Sequence, residues 1–391
     1  MKVLLISHCF PPAQDGGAVT FGYIKEILIR AGNQVEVITS NCFSSDDFIK
    51  IGTKTISPQK QEKKNLSIIR LSVFKKGRLF FRLGELVFKN NLISLFKRGP
   101  VFTSLKYILK KREVDWVITG FFPTLAPFWG YWIARRSRTK LALIPGYHKG
   151  DLNYQNRYLV KLLFRADLLI CFTKWEAKHY QNLGISKKKI TVIGNVAPKY
   201  LLKKTASFPK KPIILYLGAK AAHKRVELLI EAMERVWQVD KKVDLVIAGP
   251  ETLHSAKVKE KIRKLKISFR KQVTYYSCVS EKKKIALLDD ATVLVNPALS
   301  ESFSLVFMDS WARKKPVIGS NFPAKRELVK ESGGGLLFKK YSAQDLAEKI
   351  IKIISSPQKA KIMGERGYNN LINKYTLGRV GEKLLKALAK E

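Results

Sequence analysis

The residues whose types and spacing could do chemistry gather in the second half of the chain. Glu301 and Asp309 stand eight positions apart in ALSESFSLVFMDSWARKKPVIGS, directly after the apolar run ATVLVNP. That run reads as a strand and residues 304–314 as a helix, which puts Asp309 inside the helix and Glu301 in the loop before it. The backbone N–H groups of Phe303, Ser304 and Leu305 would open the helix, and free N–H groups there suit a phosphate. A carboxylate at mid-helix can hold two adjacent ribose hydroxyls. A plainer description also fits, with Glu301 facing the helix dipole and Asp309 a surface charge. Upstream, the strand IILYLG ends in Gly218 and runs into AKAAHKR, which places Lys220, Lys224 and Arg225 between a strand end and a helix start. Cations there can neutralise a diphosphate, or they form the solvated start of a basic helix. Near the amino end, Gly16 and Gly17 sit between a strand and a helix. They allow close backbone approach to an anion, or simply a tight turn, and they do not match GxGxxG.

The elements that must position these residues alternate between strand and helix. KVLLIS reads as a buried strand, followed by the loop HCFPPAQDGGA, a helix over about 19–31 with Phe21, Ile24, Ile27 and Leu28 on one face, and the strand QVEVITS after Gly32. VDWVITG, KLALIP, ADLLICF and ITVIGN continue the strand series. After the polar, Pro-punctuated stretch 203–212 a second series begins, with IILYLG, a helix over 224–237, VDLVIAG, a basic helix over 254–267, QVTYYS, a helix over 280–289, ATVLVNP, PVIGS and the GGGLLF segment. Helices over 343–355, 358–372 and 378–390 close the chain. Repeated βαβ units predict parallel sheets with right-handed crossovers. The expected class is α/β, with two Rossmann-like domains facing a central cleft. The expected boundaries are 1–202, a linker at 203–212, 213–372, and a carboxyl-terminal helix over 373–391 returning to the first domain.

The chain has 391 residues, 73 Lys+Arg against 31 Asp+Glu, and a net charge of +42. Its 46% hydrophobic content excludes disorder as the main state. The four cysteines are scattered, which argues against a disulfide framework or a zinc site and fits a reducing compartment. The apolar start is too short for a secretory leader. Residues 116–134 carry no charge over 19 positions, but Gly120, Pro123, Pro127 and Gly130 break them. We read strand, turn and buried helix there, against a transmembrane helix.

Taken together, the FPPxxxGG loop, the LGxxxxxKR segment, and ESFSLVFMD followed by PVIGS and GGGLLF resemble glycosyltransferase family 4 of the GT-B fold. The likeness covers nearly the whole chain, and its specificity lies in the combination and order of the pieces. The resemblance implies that Gly16 and Gly17 lie against the donor diphosphate, Gly17 also against the acceptor. It implies that Lys224 binds the diphosphate and Glu301 contacts the transferred sugar. Ser302, Phe303, Ser304 and Leu305 would line the donor, with backbone N–H groups from the last three. Asp309 would hold the donor ribose, and Val279 would lie where backbone reads the base. His148 would close the acceptor side, with Lys149 and Asp151 beside it. Read alone, His148 is first a buried structural histidine, and only the family match reverses that reading. Ala219 stands where the family has Arg, so Lys220 or Arg225 would supply that charge beside Gly218. Asp309 is one methylene shorter than the family's Glu.

The implied chemistry is hexose transfer from a nucleotide diphosphate sugar, with retention at the anomeric carbon and no cofactor or metal. Glu301, His148 and Lys224 would be the catalytic set. Residues 50–112 hold 17 Lys+Arg and two acids. Within them, KKGRLFFRLGELVFKNNLISLFKR reads as a basic amphipathic helix for an anionic membrane surface, or as an ordinary packed helix. The expected enzyme is peripheral at the cytoplasmic membrane face and acts on a lipid-linked or cell-surface glycan. Nucleic acid has charge alone in its favour. Competing readings are a nucleotide-sugar epimerase, a phosphorylase, and a non-catalytic basic binding protein.

Overall fold

Lys2–Ile6 is β1, and its apolar residues Val3, Leu4, Leu5 and Ile6 are all buried, as a strand covered on both faces requires. The computed structural model describes residues 1–13, 15–48, 52–57, 59–75, 95–96, 98–202, 209 and 211–390. The chain forms two compact units, Met1–Asn195 with Val380–Glu391, and Val196–Arg379.

In the first unit, β1 is followed by β2 (Gln34–Ser40), β3 (Lys60–Lys63), β4 (Leu66–Leu71), β5 (Trp116–Gly120), β6 (Lys140–Ile144), β7 (Leu168–Cys171) and β8 (Ile190–Val192). Their order across the sheet is β3-β4-β2-β1-β5-β6-β7-β8. All pairings are parallel except β3 with β4. The β3–β4 hairpin escapes the sequence reading because β3 is an edge strand, KQEK, with no apolar alternation to reveal it. The first helix runs over Gly16–Arg30, three residues earlier than the hydrophobic pattern indicates. Asp15 caps it by accepting from the Ala18 N–H at 2.9 Å, which draws both glycines into the first turn. The uncharged stretch 116–134 is the strand β5 and part of the helix Ala126–Ser137. Among the described residues no helix is long and apolar enough to cross a membrane.

The second unit holds β9 (Ile213–Leu217), β10 (Asp244–Ala248), β11 (Val273–Tyr276), β12 (Val293–Asn296), β13 (Val317–Ser320) and β14 (Gly335–Phe338), all parallel, in the order β11-β10-β9-β12-β13-β14. This is the doubly wound 3-2-1-4-5-6 order, and its strand order reverses between β9 and β12. The sheet is covered by Leu229, Met233, Val236 and Trp237 of the helix Val226–Val239, among others, and by Leu346 and Ile350 of the helix Ala343–Ile354. Glycines let the helix Pro357–Lys374 approach closely. A Cβ on Gly367 would lie 2.2 Å from Trp311 Cδ1, and one on Gly364 would lie 1.9 Å from the Lys314 carbonyl oxygen.

The unit boundaries differ from those expected. Residues 196–202 go with the second unit, because the Ala197 N–H donates to the Tyr375 carbonyl at 2.8 Å and the Leu201 carbonyl accepts from Arg313 Nη1 at 3.0 Å. The helix Leu377–Ala389 crosses back, and a Cβ on its Gly381 would lie 3.2 Å from Ile27 of the first unit's opening helix. Most of the expected linker, residues 203–208 and 210, and most of the basic amphipathic segment, residues 76–94 and 97, lie outside the described residues.

Candidate functional site

In the second unit the carboxyl ends of β9, β12 and β13 meet around one buried carboxylate. After Asn296 the chain leaves β12 through a loop that carries Glu301, only 6% exposed, and returns into the helix Leu305–Ala312. Lys224, in the short 3₁₀ turn Ala222–Lys224 after β9, places its Nζ 2.6 Å from Glu301 Oε1. Asn296 Nδ2 donates to Glu301 Oε2 at 2.8 Å and to Ser304 Oγ at 2.9 Å. Lys325, from the helix Pro323–Ser332, places its Nζ 3.9 Å from Glu301 Oε2. The Leu299 N–H donates to the His223 carbonyl at 3.2 Å, which ties the two loops together. Burial pushes the Glu301 carboxyl up, but Lys224, Lys325 and the Asn296 amide outweigh it and bring its pKa down to about 2. Burial brings the Lys325 ammonium down to about 7, with Glu301 opposing. The sequence reading missed Asn296, Lys325 and the helix that carries Lys325. The available signal was a lysine in the first turn of a helix beginning at Pro323, where a cation opposes the dipole and therefore needs another partner.

Ser304 occupies the N-cap position of Leu305–Ala312, yet its side chain makes no capping hydrogen bond and instead accepts from Asn296. Of the first-turn N–H groups, that of Phe307 donates to the Ser304 carbonyl at 3.1 Å, and the Ser304 side chain accepts from none of them. Ser302 is buried, and Phe303 packs edge-on against Tyr375 at 5.6 Å between centroids. Asp309, also buried, pairs with Lys284 of the helix Glu281–Asp290 at 2.8 Å. Burial raises its carboxyl pKa, with Lys284 opposing and Glu281 adding to the rise. Lys284 was not anticipated. Val279 lies half-buried in the loop between β11 and that helix.

Lys220 stands apart from the Glu301 cluster. It is fully buried, its ammonium donates to the Gly249 and Tyr276 carbonyls, and it lies 4.5 Å from the Tyr275 ring centroid. It therefore locks the ends of β9, β10 and β11 together, and burial brings its pKa down to about 8. Gly218 and Gly249 permit this crowding. Gly249 has φ 135°, and a Cβ there would lie 2.3 Å from the Gly218 carbonyl oxygen. Arg225 begins the helix Val226–Val239 in the left-handed region, with its guanidinium 5.4 Å from the Tyr341 ring centroid.

The first unit presents its own set at the carboxyl ends of β1, β6 and β7. Gly16 opens the first helix. Gly17 packs under His8, where a Cβ would lie 2.6 Å from His8 Cε1. His8 Nε2 is 3.3 Å from Asp15 Oδ1. His8, Cys9 and Asp15 bring potential metal-binding atoms within 4.8 Å of one another. Burial drives the Cys9 thiol pKa far up, however, and the neutral thiol is a poor ligand. His148 stacks on Tyr154 at 5.9 Å, Lys149 is exposed, and Asp151 caps the 3₁₀ turn Leu152–Gln155 by accepting from the Asn153 N–H at 3.0 Å. Beneath this turn, fully buried Glu176 accepts from the Tyr147 and Phe172 N–H groups, both at 2.8 Å. Tyr147 in turn stacks on His179 at 3.8 Å and on Trp175 at 5.4 Å.

Two doubly wound parallel units, the second with a carboxylate–lysine cluster at its switch point and a helix start beside it, define the GT-B class of glycosyltransferase fold. The chain belongs to glycosyltransferase family 4. Residues 15–197 match the family model described as Glycosyltransferase Family 4, and residues 199–370 match Glycosyl transferases group 1. The chain is 27% identical over 208 residues to an uncharacterized glycosyltransferase of Methanocaldococcus jannaschii, covering 52% of this chain and 54% of the other. It is 25% identical over 220 residues to the N,N'-diacetylbacillosaminyl-diphospho-undecaprenol alpha-1,3-N-acetylgalactosaminyltransferase of Campylobacter jejuni, covering 52% and 56%. The chain thus spans about half the length of the curated relatives it matches. Among solved structures, Anabaena HepE in complex with UDP-glucose superposes over the whole of both chains with a TM-score of 0.75 at 16% identity. Sucrose-phosphate synthase of Thermosynechococcus elongatus superposes over 100% of this chain and 98% of its own, with a TM-score of 0.74 at 18% identity. At such identities these likenesses establish the fold.

Proposed function

We propose that this chain is a retaining, metal-independent glycosyltransferase that needs no cofactor. It moves a hexose from a nucleotide diphosphate sugar to a lipid-linked or cell-surface glycan, at the cytoplasmic face of a membrane. The observation that carries the reading is the Glu301 cluster: a buried carboxylate kept ionised by Lys224, Lys325 and the Asn296 amide, beside a helix start with no side-chain cap, at the switch point of a doubly wound sheet. Glu301 accepts hydrogen bonds from the sugar hydroxyls. Lys224 and the backbone N–H groups of Phe303, Ser304 and Leu305 hold the departing diphosphate, whose charge grows as the anomeric bond breaks. Asp309, carried by that helix, holds the ribose. Positive side chains and helix dipoles take the part a divalent ion plays elsewhere, and the departing phosphate oxygen accepts the acceptor's proton on the same face. His148, Lys149 and Asp151 belong to the acceptor side.

HepE was solved with UDP-glucose, and the Campylobacter relative is named for transfer onto a diphospho-undecaprenol carrier, so both support a donor and an acceptor of these kinds. The excess of 17 basic over two acidic residues in 50–112 supports an anionic membrane surface as a partner, where each basic residue contributes about 1 kcal/mol.

The test is a thermal-shift panel of UDP-, GDP-, ADP- and TDP-sugars, followed by transfer assays and anomeric analysis of the product by NMR. A donor at a hundredfold excess over Kd stabilises the folded state by about 2.7 kcal/mol. One nucleotide series raising the melting temperature, with an anomeric configuration retained in the product, is the expected result. No shift from any of the four sinks the reading.

A further inference from the structure

We propose that Lys325 is a positioning residue of the donor site, a second buried cation that holds the Glu301 carboxylate and the Asn296 amide in place when Lys224 turns to a ligand diphosphate. The inference rests on the donor-site reading above.

Lys325 lies in the first turn of Pro323–Ser332, yet its side chain is fully buried and runs back beneath the end of β12. Its Nζ donates to the Asn296 carbonyl at 3.0 Å, the Ala298 carbonyl at 2.7 Å, Asn296 Oδ1 at 3.2 Å and Ser320 Oγ at 3.2 Å. Gly319 makes room for the stem, since a Cβ there would lie 3.2 Å from Lys325 Cδ and 2.7 Å from Phe307 Cζ.

Two consequences follow from this placement. First, Asn296 Oδ1 is engaged by Lys325 and by the Ala298 N–H, so the amide must turn its Nδ2 toward Glu301 and Ser304. Lys325 thereby sets the orientation of the donor that fixes Glu301 Oε2. Second, the cluster holds two ammonium groups against one carboxylate. A single lysine would neutralise Glu301, so the second leaves an excess positive charge, costly in a buried site unless an anion completes it. A diphosphate competes for Lys224, which is partly exposed at 24%, and has no such access to Lys325, which is 0% exposed. When Lys224 is drawn away, Lys325 remains to keep Glu301 ionised. The titratable groups that face Lys325 are Glu301 and Lys224, and burial brings its own pKa down to about 7. Deprotonation would leave two N–H groups for four acceptors, so the arrangement loosens on the alkaline side.

The experiment compares Lys325→Met with the full wild-type chain. Binding of the nucleoside diphosphate alone is measured by calorimetry, and transfer by kcat and donor KM from pH 3 to 9. The expected result is a nucleoside diphosphate Kd within about threefold of wild type with kcat lower by about tenfold or more, since misplacing a group that touches the sugar affects the reacting geometry. The acid limb of kcat should also move to higher pH. An unchanged kcat and pH profile in a wild-type background that binds and transfers overturns this inference alone. Absence of nucleotide-sugar binding in the wild type overturns the donor-site reading, and this inference with it. If Lys325→Met does not fold, the double variant Lys325→Met/Glu301→Gln decides. A melting transition regained on removing the Glu301 charge supports the charge-holding role, and no recovery overturns it.

Discussion

In each unit a carboxylate is buried where strands end, Glu176 in the first and Glu301 in the second, and the two are satisfied in opposite ways. Glu176 in the first unit is fully buried and accepts from two backbone N–H groups, those of Tyr147 and Phe172. Glu301 in the second is held by side chains, Lys224, Asn296 and at longer range Lys325. Backbone donors cannot leave without unfolding the turn, so Glu176 is a permanent tie between the segments that follow β6 and β7. A lysine on a flexible stem can exchange one anion for another. The difference separates a structural carboxylate from one poised to trade partners with a ligand.

The largest expected effect breaks that comparison most directly. Glu301→Gln keeps the shape but removes the charge, and transfer should fall by at least about 10²-fold. Glu176→Gln turns an amide donor onto a backbone N–H and should lower unfolding free energy by about 1–3 kcal/mol while leaving nucleotide affinity alone. Transfer assays and urea denaturation with and without nucleotide distinguish the two. Equal losses of stability and activity in both variants would erase the contrast.

Next in size is a contrast between two lysines of the segment after β9, Lys220 and Lys224, which stand four positions apart in sequence. Lys224→Met should weaken nucleoside diphosphate binding by about tenfold or more, because a charge-assisted contact is lost. Lys220→Met should leave the affinity within about twofold, since Lys220 is engaged by the Gly249 and Tyr276 carbonyls, and should instead lower the melting temperature. Calorimetry that ranks Lys220→Met below Lys224→Met in affinity would return Lys220 to the diphosphate.

The smallest effect concerns pH. The Glu301 pKa is depressed from 4.5 to about 2 in the folded chain, so its contribution to stability is fully present above pH 4.5 and is lost as pH falls toward 2. Lys325 runs the other way: with its pKa lowered from 10.5 to about 7, its burial opposes folding below pH 7, and that opposition eases as pH rises toward 10.5. Acid unfolding of Glu301→Gln should therefore be less steep between pH 4.5 and 2 than that of wild type. A parallel acid limb in the two proteins would contradict the depressed pKa.

The βαβ alternation was legible because buried parallel strands are continuous apolar runs, and KVLLI, WVITG and VLVN announce themselves. Glu301, Asp309 and Lys224 were legible because strand ends and helix starts are readable locally. Residues 60–71 were not, because an edge hairpin with a charged outer strand has no pattern to find. The partner of Asp309 was equally hidden. Lys284 is one of several lysines in EKKKIALLDD, and nothing along that run marks it as the one that meets the carboxylate. The first helix began early because one capping bond from Asp15 outweighed the weak helical preference of two glycines.

By itself, the sequence determined the alternation of elements, the α/β class, the two-part organisation and the candidate acid–lysine set. Those depend on local periodicity and on residues near one another along the chain. The tertiary structure alone decided which lysine does what. Lys220, Lys224 and Lys325 are indistinguishable as letters, yet one ties three strand ends, one faces Glu301 with room to move, and one is sealed beneath it. Their roles come from burial and from partners supplied by strands distant in sequence, and burial sets both the charge a lysine keeps and the anions that can reach it.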